Sequence, residues 1–250
     1  MLIAVAGGTG TLGSRVVTAL RERGHDVRAL SRHVPDFPVD LATGTGLPGA
    51  VQGCDVVIDA SNAIKRDALV GGTERLLAAA ENAEVGHVIG ISIVGCEKAP
   101  MSYYKAKVEQ EKVVEGSTTP WTMVRATQFH GLIGGMFAAA TRFGVLPLLA
   151  APLQTVDPAD VAAAISDVVE RSPLQASVSV AGPEIEDARA LARRWKAASG
   201  SHALPVRIGV PGALGAALRA GALTTDAPDV RGTVTFDAWL AEQRQQKTAR

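Results

Sequence analysis

The sequence predicts an α/β fold built around a parallel sheet. Through the first half of the chain, short apolar strands alternate with amphipathic helices, the pattern of parallel strands joined by right-handed crossovers. The first strand, residues 2–6, shows no polar alternation, as expected for a strand covered on both faces. A glycine-rich segment follows it directly and opens the first helix. These observations together predict a doubly wound sheet between two layers of helices.

The other elements of the first half follow from the same periodicities. Leu12, Val16, Val17 and Leu20 recur at helical spacing, and Gly24 is placed to end that helix. Pro120 precedes the last strand of this half. We expect strands at residues 26–31, 39–41, 55–60, 87–93 and 121–126, and helices around residues 69–80 and 102–115.

The second half is less regular and predicts a smaller lobe added to the sheet. We expect residues 1–125 to form the core, and residues 126–250 to supply the remaining sheet elements and the lobe, without an independent second domain. A polar tail over residues 245–250 is expected to fray. Helices are predicted at residues 128–143, 157–171, 184–199, 211–220 and 236–246, and strands at residues 145–149 and 177–181.

Composition excludes several classes of function. With 25 Lys plus Arg against 25 Asp plus Glu, the net charge of zero gives no bulk attraction to nucleic acid or anionic membrane. Only Cys54 and Cys96 are present, so neither a disulfide framework nor a cysteine-rich metal site is expected. No apolar run approaches the ~20 residues that cross a bilayer. We therefore expect a cytoplasmic monomer or homodimer that acts on a small molecule without a metal ion.

Residues 7–13, the glycine turn, carry the spacing G-x-x-G-x-x-G between a buried strand and a helix. Gly7 allows the sharp turn, Gly10 allows backbone N–H groups to approach a diphosphate, and Gly13 allows close helix packing. The positive end of the helix dipole adds to this anion site. The turn therefore predicts a Rossmann-type dinucleotide site. The backbone groups expected to contact the cofactor belong to Gly7, Thr9, Gly10, Thr11 and Leu12.

The end of the second strand indicates which dinucleotide binds. An acidic residue there would bind the ribose 2′-OH and repel a 2′-phosphate, and none is present. Arg32 can instead pair with a 2′-phosphate, and Ser31 can add a hydrogen bond. Arg28 lies inside the strand and ranks second. NADP(H) is therefore favoured over NAD(H).

Several motifs in order give the chain a family resemblance. Besides the glycine turn, they are Asp40-Leu41 and the segments 59–63, 72–80 and 156–162. With these motifs the chain resembles the atypical, extended-like branch of the short-chain dehydrogenase/reductase superfamily, related to NmrA-like and NAD(P)H-binding reductases. The resemblance implies that Asp40 and Leu41 contact adenine. It also implies that the segment carrying Ala60, Ser61 and Asn62 lines the cofactor.

Tyr103 and Lys107 form the pair Y-x-x-x-K on one helical face, about 6 Å apart along the axis. An ordinary Tyr titrates near ~10, and a neighbouring Lys charge would lower that pKa. The resemblance implies that Tyr103 exchanges a proton with the substrate oxygen during hydride transfer, while Lys107 holds the nicotinamide ribose. Tyr104 either faces the substrate or packs.

Two departures from the family pattern concern the substrate side. Ser92 is the only serine near the end of its strand, where Ile93 or Val94 occupies the usual catalytic position. Ser92 either contacts the cofactor or ends the strand. Arg125-Ala126 stands in place of an Arg-Pro pair. The following Gln128, Phe129 and His130 are expected near the nicotinamide or substrate, with His130 either a proton donor or structural.

The leading hypothesis is an NADP(H)-dependent oxidoreductase that reduces a small carbonyl or quinone-like compound by hydride transfer. The Tyr103–Lys107 pair favours this enzyme. A non-catalytic NADP(H)-binding redox sensor is a second hypothesis, favoured by the missing second serine. A nucleotide-sugar epimerase or dehydratase is a third, disfavoured by the few polar and aromatic residues of the late lobe. The sequence does not identify the substrate.

Overall fold

The computed structural model describes residues 1–248, and side chains as far as Gln246. Within these residues the strands are β1 (Leu2–Ala6), β2 (Asp26–Leu30), β3 (Val56–Asp59), β4 (His87–Ile93), β5 (Trp121–Ala126), β6 (Val145–Leu149), β7 (Pro152–Leu153), β8 (Ser177–Ala181), β9 (Glu186–Asp187), β10 (Leu204–Ile208) and β11 (Val230–Arg231). The helices are α1 (Gly13–Glu22), α2 (Leu47–Val51), α3 (Arg66–Asn82), α4 (Ser102–Glu115), α5 (His130–Thr141), α6 (Pro158–Val169), α7 (Ala188–Ser199), α8 (Gly212–Arg219) and α9 (Phe236–Thr248).

Seven strands of the described chain form one parallel sheet, in the order β11-β8-β5-β4-β3-β1-β2. From β1 the chain passes to β2 on one side and later to β3 on the other, so the strand order reverses beside β1. Ligands of open α/β sheets bind outside the carboxyl ends of the strands at such a reversal. The predicted Rossmann-type sheet is therefore confirmed, and its strand order reverses at the carboxyl ends of β1 and β3, where we expect the binding crevice.

Helices cover both faces of this sheet because both faces of its strands are apolar. In β1, Ile3 and Val5 face the cluster made with α1 and α6, while Ala4 faces the cluster made with α2, α3 and α4. Successive side chains of a strand point to opposite faces, so this one strand joins both cores. The result is a sheet whose carboxyl edge is the accessible place for a ligand.

The second half both extends the sheet and builds a lobe. Strands β8 and β11 complete the central sheet, while α5, β6, α7 and α9 enclose a third apolar cluster around Phe137, Leu146, Leu191 and Phe236. Strand β6 pairs with β10, and β7 with β9, in two small sheets. In the described residues no helix is long and apolar enough to span a bilayer.

The predicted strand at residues 39–41 is wrong. The N–H of Val39 bonds to the Ser31 carbonyl, but Asp40 then pairs with Thr45 in a turn, so only isolated bridges form. Pro35 and Pro38 cannot donate backbone hydrogen bonds, which prevents a regular ladder here. β2 is therefore the edge strand. At the other terminus, α9 continues through Thr248, so residues 245–248 of the predicted tail are helical, and residues 249–250 lie outside the described residues.

Candidate functional site

The glycine turn lies between the carboxyl ends of β2 and β3 and contacts both. Gly7 has a φ of +72°, and its N–H bonds to the Leu30 carbonyl at 3.1 Å. A Cβ on Gly7 would lie 2.8 Å from the Ala60 carbonyl oxygen, and one on Gly13 only 2.1 Å from the Gly7 oxygen. Both positions therefore require glycine. A side chain at Gly7 would separate the turn from the end of β3, and a side chain at Gly13 would separate α1 from the turn.

The turn leaves backbone donors unpaired. Among the described residues, no acceptor meets the N–H groups of Thr9, Thr11 and Leu12, while Gly10 donates to Gly7. Thr9, Gly10 and Thr11 are exposed, and α1 begins immediately after Leu12. Free N–H groups at a helix N-terminus fit a diphosphate. Three of the five expected backbone groups thus remain available, while those of Gly7 and Gly10 stabilise the turn itself.

Ser31 connects the glycine turn to the end of β2. Its hydroxyl oxygen accepts a hydrogen bond from the Thr9 hydroxyl at 3.0 Å. The next residue, Arg32, is exposed and has no hydrogen bond or ion pair within residues 1–248. Arg28, by contrast, donates to the carbonyls of Ala50 and Gln52 and lies over the Phe37 ring. Arg28 is therefore committed to the fold, and Arg32 is the guanidinium available to a ligand.

Asp40 and Leu41 lie in the turn that replaces the expected strand. The Asp40 carboxylate accepts the Ala42 N–H at 2.9 Å, and the Leu41 carbonyl accepts from Arg75 of α3. Leu41 also packs over Gly72, where an added Cβ would come within 3.3 Å of the Leu41 Cβ. Both residues are half-buried, so their side chains still reach the surface beside α3.

The loop after β3 brings the predicted cofactor and catalytic residues together. Ala60 donates its N–H to the Ala6 carbonyl at 3.0 Å, just before the glycine turn. Two residues later, the Asn62 side-chain oxygen accepts a hydrogen bond from the Tyr103 hydroxyl at 3.0 Å. Tyr103, at the start of α4, therefore lies at the carboxyl edge of the sheet, against the loop that follows β3.

Lys107 lies one turn further along α4 and is directed inward. Its ammonium donates to the Ile91 carbonyl at 3.1 Å and to the Gln110 side-chain oxygen at 2.9 Å. Burial lowers the pKa of Lys107, and burial raises the pKa of Tyr103 above its usual value. The expected lowering of the Tyr103 pKa is therefore not found, because the ammonium faces β4 and Gln110 while desolvation dominates the phenol.

Behind Lys107 lies a polar network that the sequence did not predict. Asp59, at the end of β3, accepts hydrogen bonds from Ser61, from Thr73 at 2.6 Å and from Gln110 at 3.3 Å. Asp59 is only 1% exposed and Lys107 only 4%. The spacing of Lys107 and Gln110 could have predicted that the two side chains share one face of α4. The sequence gives no indication that this face packs against Asp59, which lies 51 residues from Gln110 in the chain.

Ser92 lies under the site rather than in it. It is buried, and its hydroxyl contacts only the Cys96 thiol, 3.9 Å away. Burial raises the pKa of Cys96 to about 11, so this thiol is neutral near pH 7. Glu111 of α4 forms a bidentate ion pair with Arg125 of β5. With only 3% of its surface exposed, Ser92 fits a strand-end position better than the alternative of a cofactor contact.

The segment after β5 is mostly committed to the lobe. His130 is fully buried, and its ring nitrogens lie 2.8 Å from the Thr155 hydroxyl and 3.0 Å from the Val234 carbonyl. Burial also lowers its pKa, and its complete burial favours the structural alternative for His130 over the proton donor. Phe129 is half-buried: its backbone pairs with Val156, and its ring packs against the central-sheet cluster that includes β1, α1 and α6.

Gln128 and Tyr104 are the other two residues that the sequence placed on the substrate side. Gln128 is buried and donates to the Leu223 carbonyl at 3.2 Å, while its side-chain oxygen has no partner among the described residues. Tyr104 is half-buried, and its ring lies 5.6 Å from that of Tyr103. Burial raises the Tyr104 pKa as well. The two hydrogen bonds of the Lys107 ammonium go to Ile91 and Gln110 and to neither of these residues.

Comparison with known proteins identifies the family of the chain. A family model described as NAD(P)H-binding matches residues 7–172, from the glycine turn to just beyond α6. A (4-alkanoyl-5-oxo-2,5-dihydrofuran-3-yl)methyl phosphate reductase of Streptomyces griseus subsp. griseus is 30% identical over 203 residues. That match covers 75% of this chain and 70% of the reductase.

Two solved structures show the fold. An NADPH-dependent quinone oxidoreductase of Escherichia coli, solved with NADPH, is 19% identical with a TM-score of 0.79, covering 96% of this chain and 99% of that one. A nucleoside-diphosphate-sugar epimerase of Staphylococcus aureus is 18% identical with the same TM-score and coverage. Because the fold is equally close to both, it does not distinguish a reductase from an epimerase.

Proposed function

Since the chain belongs to the NAD(P)H-binding family, we propose that it is an NADPH-dependent reductase of a small carbonyl or quinone-like compound. The observation that carries this proposal is the hydrogen bond from the Tyr103 hydroxyl to Asn62 at 3.0 Å. This bond holds the Tyr103 hydroxyl at the carboxyl edge of the sheet, against the loop that adjoins the glycine turn, where it would serve as a proton donor. The Streptomyces griseus relative, itself a reductase by name, supports the same class of reaction.

The chain's own residues would divide the work as follows. Unpaired N–H groups of Thr11 and Leu12 would bind the diphosphate, and the exposed Arg32 would pair with a 2′-phosphate. When bound, the dinucleotide supplies a hydride. Tyr103 would deliver the accompanying proton from its Oη to the substrate oxygen, for which a raised pKa keeps the phenol protonated near pH 7.

Lys107 would contribute charge rather than a proton. Two of its three N–H donors are used by Ile91 and Gln110, which leaves one for the ribose hydroxyls of the dinucleotide. This division differs from a Ser-Tyr-Lys triad, because Ser92 is buried beside Cys96. The substrate oxygen would therefore be oriented by Tyr103 and by the cofactor, without a second hydroxyl.

A non-catalytic dinucleotide sensor is the second candidate. The buried Ser92 and the missing serine at the usual position favour it, because a sensor needs no group to polarise a substrate. The test is NADPH oxidation followed at 340 nm with a panel of quinones and small ketones. Acceptor-dependent oxidation supports the reductase; tight NADPH binding without oxidation by any acceptor would support the sensor instead.

Replacing Arg32 with Ala should reduce the preference for NADPH over NADH. Loss of a charge-assisted hydrogen bond to the 2′-phosphate removes about 1.5–3 kcal/mol, roughly a tenfold or larger rise in the NADPH Kd, with little change for NADH. The measurement is the Kd of both dinucleotides by isothermal titration. Arg207→Ala, which removes an exposed arginine of β10, is the control. Equal Kd values for both dinucleotides in the parent protein would contradict the proposed role.

A further inference from the structure

We infer that Asp59 is a positioning residue: through Gln110 it supplies the buried counter-charge that keeps Lys107 oriented, and through Ser61 it orders the loop that carries Asn62. One carboxylate would thus organise both members of the Tyr103–Lys107 pair. The functional part of this inference rests on the proposed dinucleotide site. The structural part does not, because it concerns only contacts among the chain's own residues.

The first step is that, within the part of the chain that the structure describes, Asp59 forms no hydrogen bond or ion pair with a cation. All of its recorded donors are neutral: the Ser61 hydroxyl and N–H on one oxygen, and Thr73 and Gln110 on the other. A carboxylate that is 1% exposed is costly unless a charge of opposite sign lies nearby. Lys107, itself 4% exposed, is the buried cation on the far side of Gln110.

The second step is that Gln110 can take only one orientation. The Thr73 hydroxyl donates its single proton to Asp59 at 2.6 Å, so the Thr73 oxygen must accept the Gln110 amide N–H at 2.8 Å. The Gln110 nitrogen therefore faces Asp59, and its oxygen faces Lys107 at 2.9 Å. The Gln110 amide therefore bridges the two charges, with its N–H donated to the Asp59 carboxylate and its oxygen accepting from the Lys107 ammonium.

The third step identifies which charge matters. The groups that act electrostatically on Lys107 are Asp59 at the end of β3, Cys96 after β4 and Glu111 on α4. Cys96 is a neutral thiol near pH 7, since burial raises its pKa to about 11. Glu111 is bound by both Arg125 nitrogens, which offset its charge. Of the two carboxylates, Asp59 is then the one with no arginine partner among the described residues, and Lys107 is the buried cation that acts on it through Gln110.

The same carboxylate controls the loop that holds Tyr103. Asp59 Oδ1, the oxygen not used by Thr73 and Gln110, accepts hydrogen bonds from both the hydroxyl and the N–H of Ser61. These bonds fix the backbone immediately before Asn62. Asn62 in turn accepts the Tyr103 hydroxyl. Removing the Asp59 charge should therefore disturb Lys107 electrostatically and the Asn62 loop by loss of hydrogen bonds.

The test is the titration of Lys107 in Asp59→Asn, followed by NMR of lysine labelled with ¹³C at Cε. The Lys107 signal is assigned by its absence in Lys107→Met. Burial already lowers the Lys107 pKa and Asp59 opposes that effect, so removing the Asp59 charge should lower the midpoint by about one pH unit or more. Glu109→Gln is the matched control, because it removes a carboxylate of α4 that pairs with Arg66 instead.

An unchanged or raised midpoint in Asp59→Asn would overturn the inference. If that variant cannot be purified folded, the double variant Asp59→Asn/Lys107→Met decides. Its recovery as a folded protein supports a charge pair, because both buried charges are then removed together. Failure of the double variant to fold would contradict the pairing, since neutralising both partners should relieve the defect.

A binding measurement separates this inference from the proposed function. NADPH should bind Asp59→Asn roughly tenfold more weakly than the parent, and Glu109→Gln with an unchanged Kd. If the parent protein binds no dinucleotide, the proposed function fails whatever Lys107 does. If the parent binds NADPH and the Lys107 midpoint does not move in Asp59→Asn, the positioning role alone fails.

Discussion

Replacing Tyr103 with Phe should lower kcat for NADPH-dependent reduction by about 10²–10⁴-fold, the usual contribution of a positioned proton donor. The substitution removes only the hydroxyl that donates to Asn62. The ring at position 103 keeps its packing against Tyr104 in α4. Because this packing is unchanged, the Kd for NADPH should change by less than about twofold. Steady-state rates and equilibrium binding of the same preparation measure the two effects separately.

Tyr104→Phe is the matched control for that experiment. It removes the same phenolic hydroxyl from the neighbouring residue and keeps the ring. The Tyr104 hydroxyl has no hydrogen bond within the described chain. Its kcat should stay within about threefold of the parent value. Turnover that persists in Tyr103→Phe, or that disappears in Tyr104→Phe instead, would place proton delivery on another group.

Replacing Gly13 with Ala should abolish dinucleotide binding. The added Cβ would lie 2.1 Å from the Gly7 oxygen and 2.8 Å from the Gly7 carbonyl carbon, so α1 and the glycine turn must separate. Moving them apart misplaces the N–H groups of Thr11 and Leu12, and the overpacking costs about 1–3 kcal/mol of stability. We expect the NADPH Kd to rise more than about 100-fold, measured by titration calorimetry.

Gly135→Ala shows whether that effect is specific to the turn. Gly135 lies within α5, is exposed, and an added Cβ would meet nothing within 4 Å. Replacing a helical glycine at an open position stabilises by up to about 1 kcal/mol. The NADPH Kd should therefore stay at the parent value. A normal Kd in Gly13→Ala, with the protein folded, would exclude the glycine turn as the dinucleotide site.

The fold was predictable where one signal was sufficient. Strands β4 and β5 and helix α4 have the boundaries that periodicity and flanking turn residues predict. The absence of a regular strand at residues 39–41 was not predictable from apolar character alone. Val39 resembles a strand residue, but the nearby Pro35 and Pro38 cannot donate the backbone hydrogen bonds of a regular ladder. Strand β11 has two residues and β10 is exposed throughout, so neither shows an apolar alternation that sequence analysis could detect.

The candidate site was predictable in its residues and less so in their directions. The glycine turn, Asn62 and Tyr103 meet at one edge, because parallel strands bring their carboxyl ends together. Helical spacing placed Lys107 near Tyr103 but could not show that its ammonium faces Ile91 and Gln110. The burial of His130 was equally hidden, since its partners Thr155 and Val234 are distant in the chain.

The most direct test of the proposed site is a crystal structure of the protein with NADP⁺. We predict that the diphosphate accepts hydrogen bonds from the backbone of Thr11 and Leu12, and that the nicotinamide ring lies beside Tyr103. A dinucleotide bound elsewhere, or a nicotinamide ring on the side of the sheet away from Tyr103, would contradict both the binding site and the proposed proton donor.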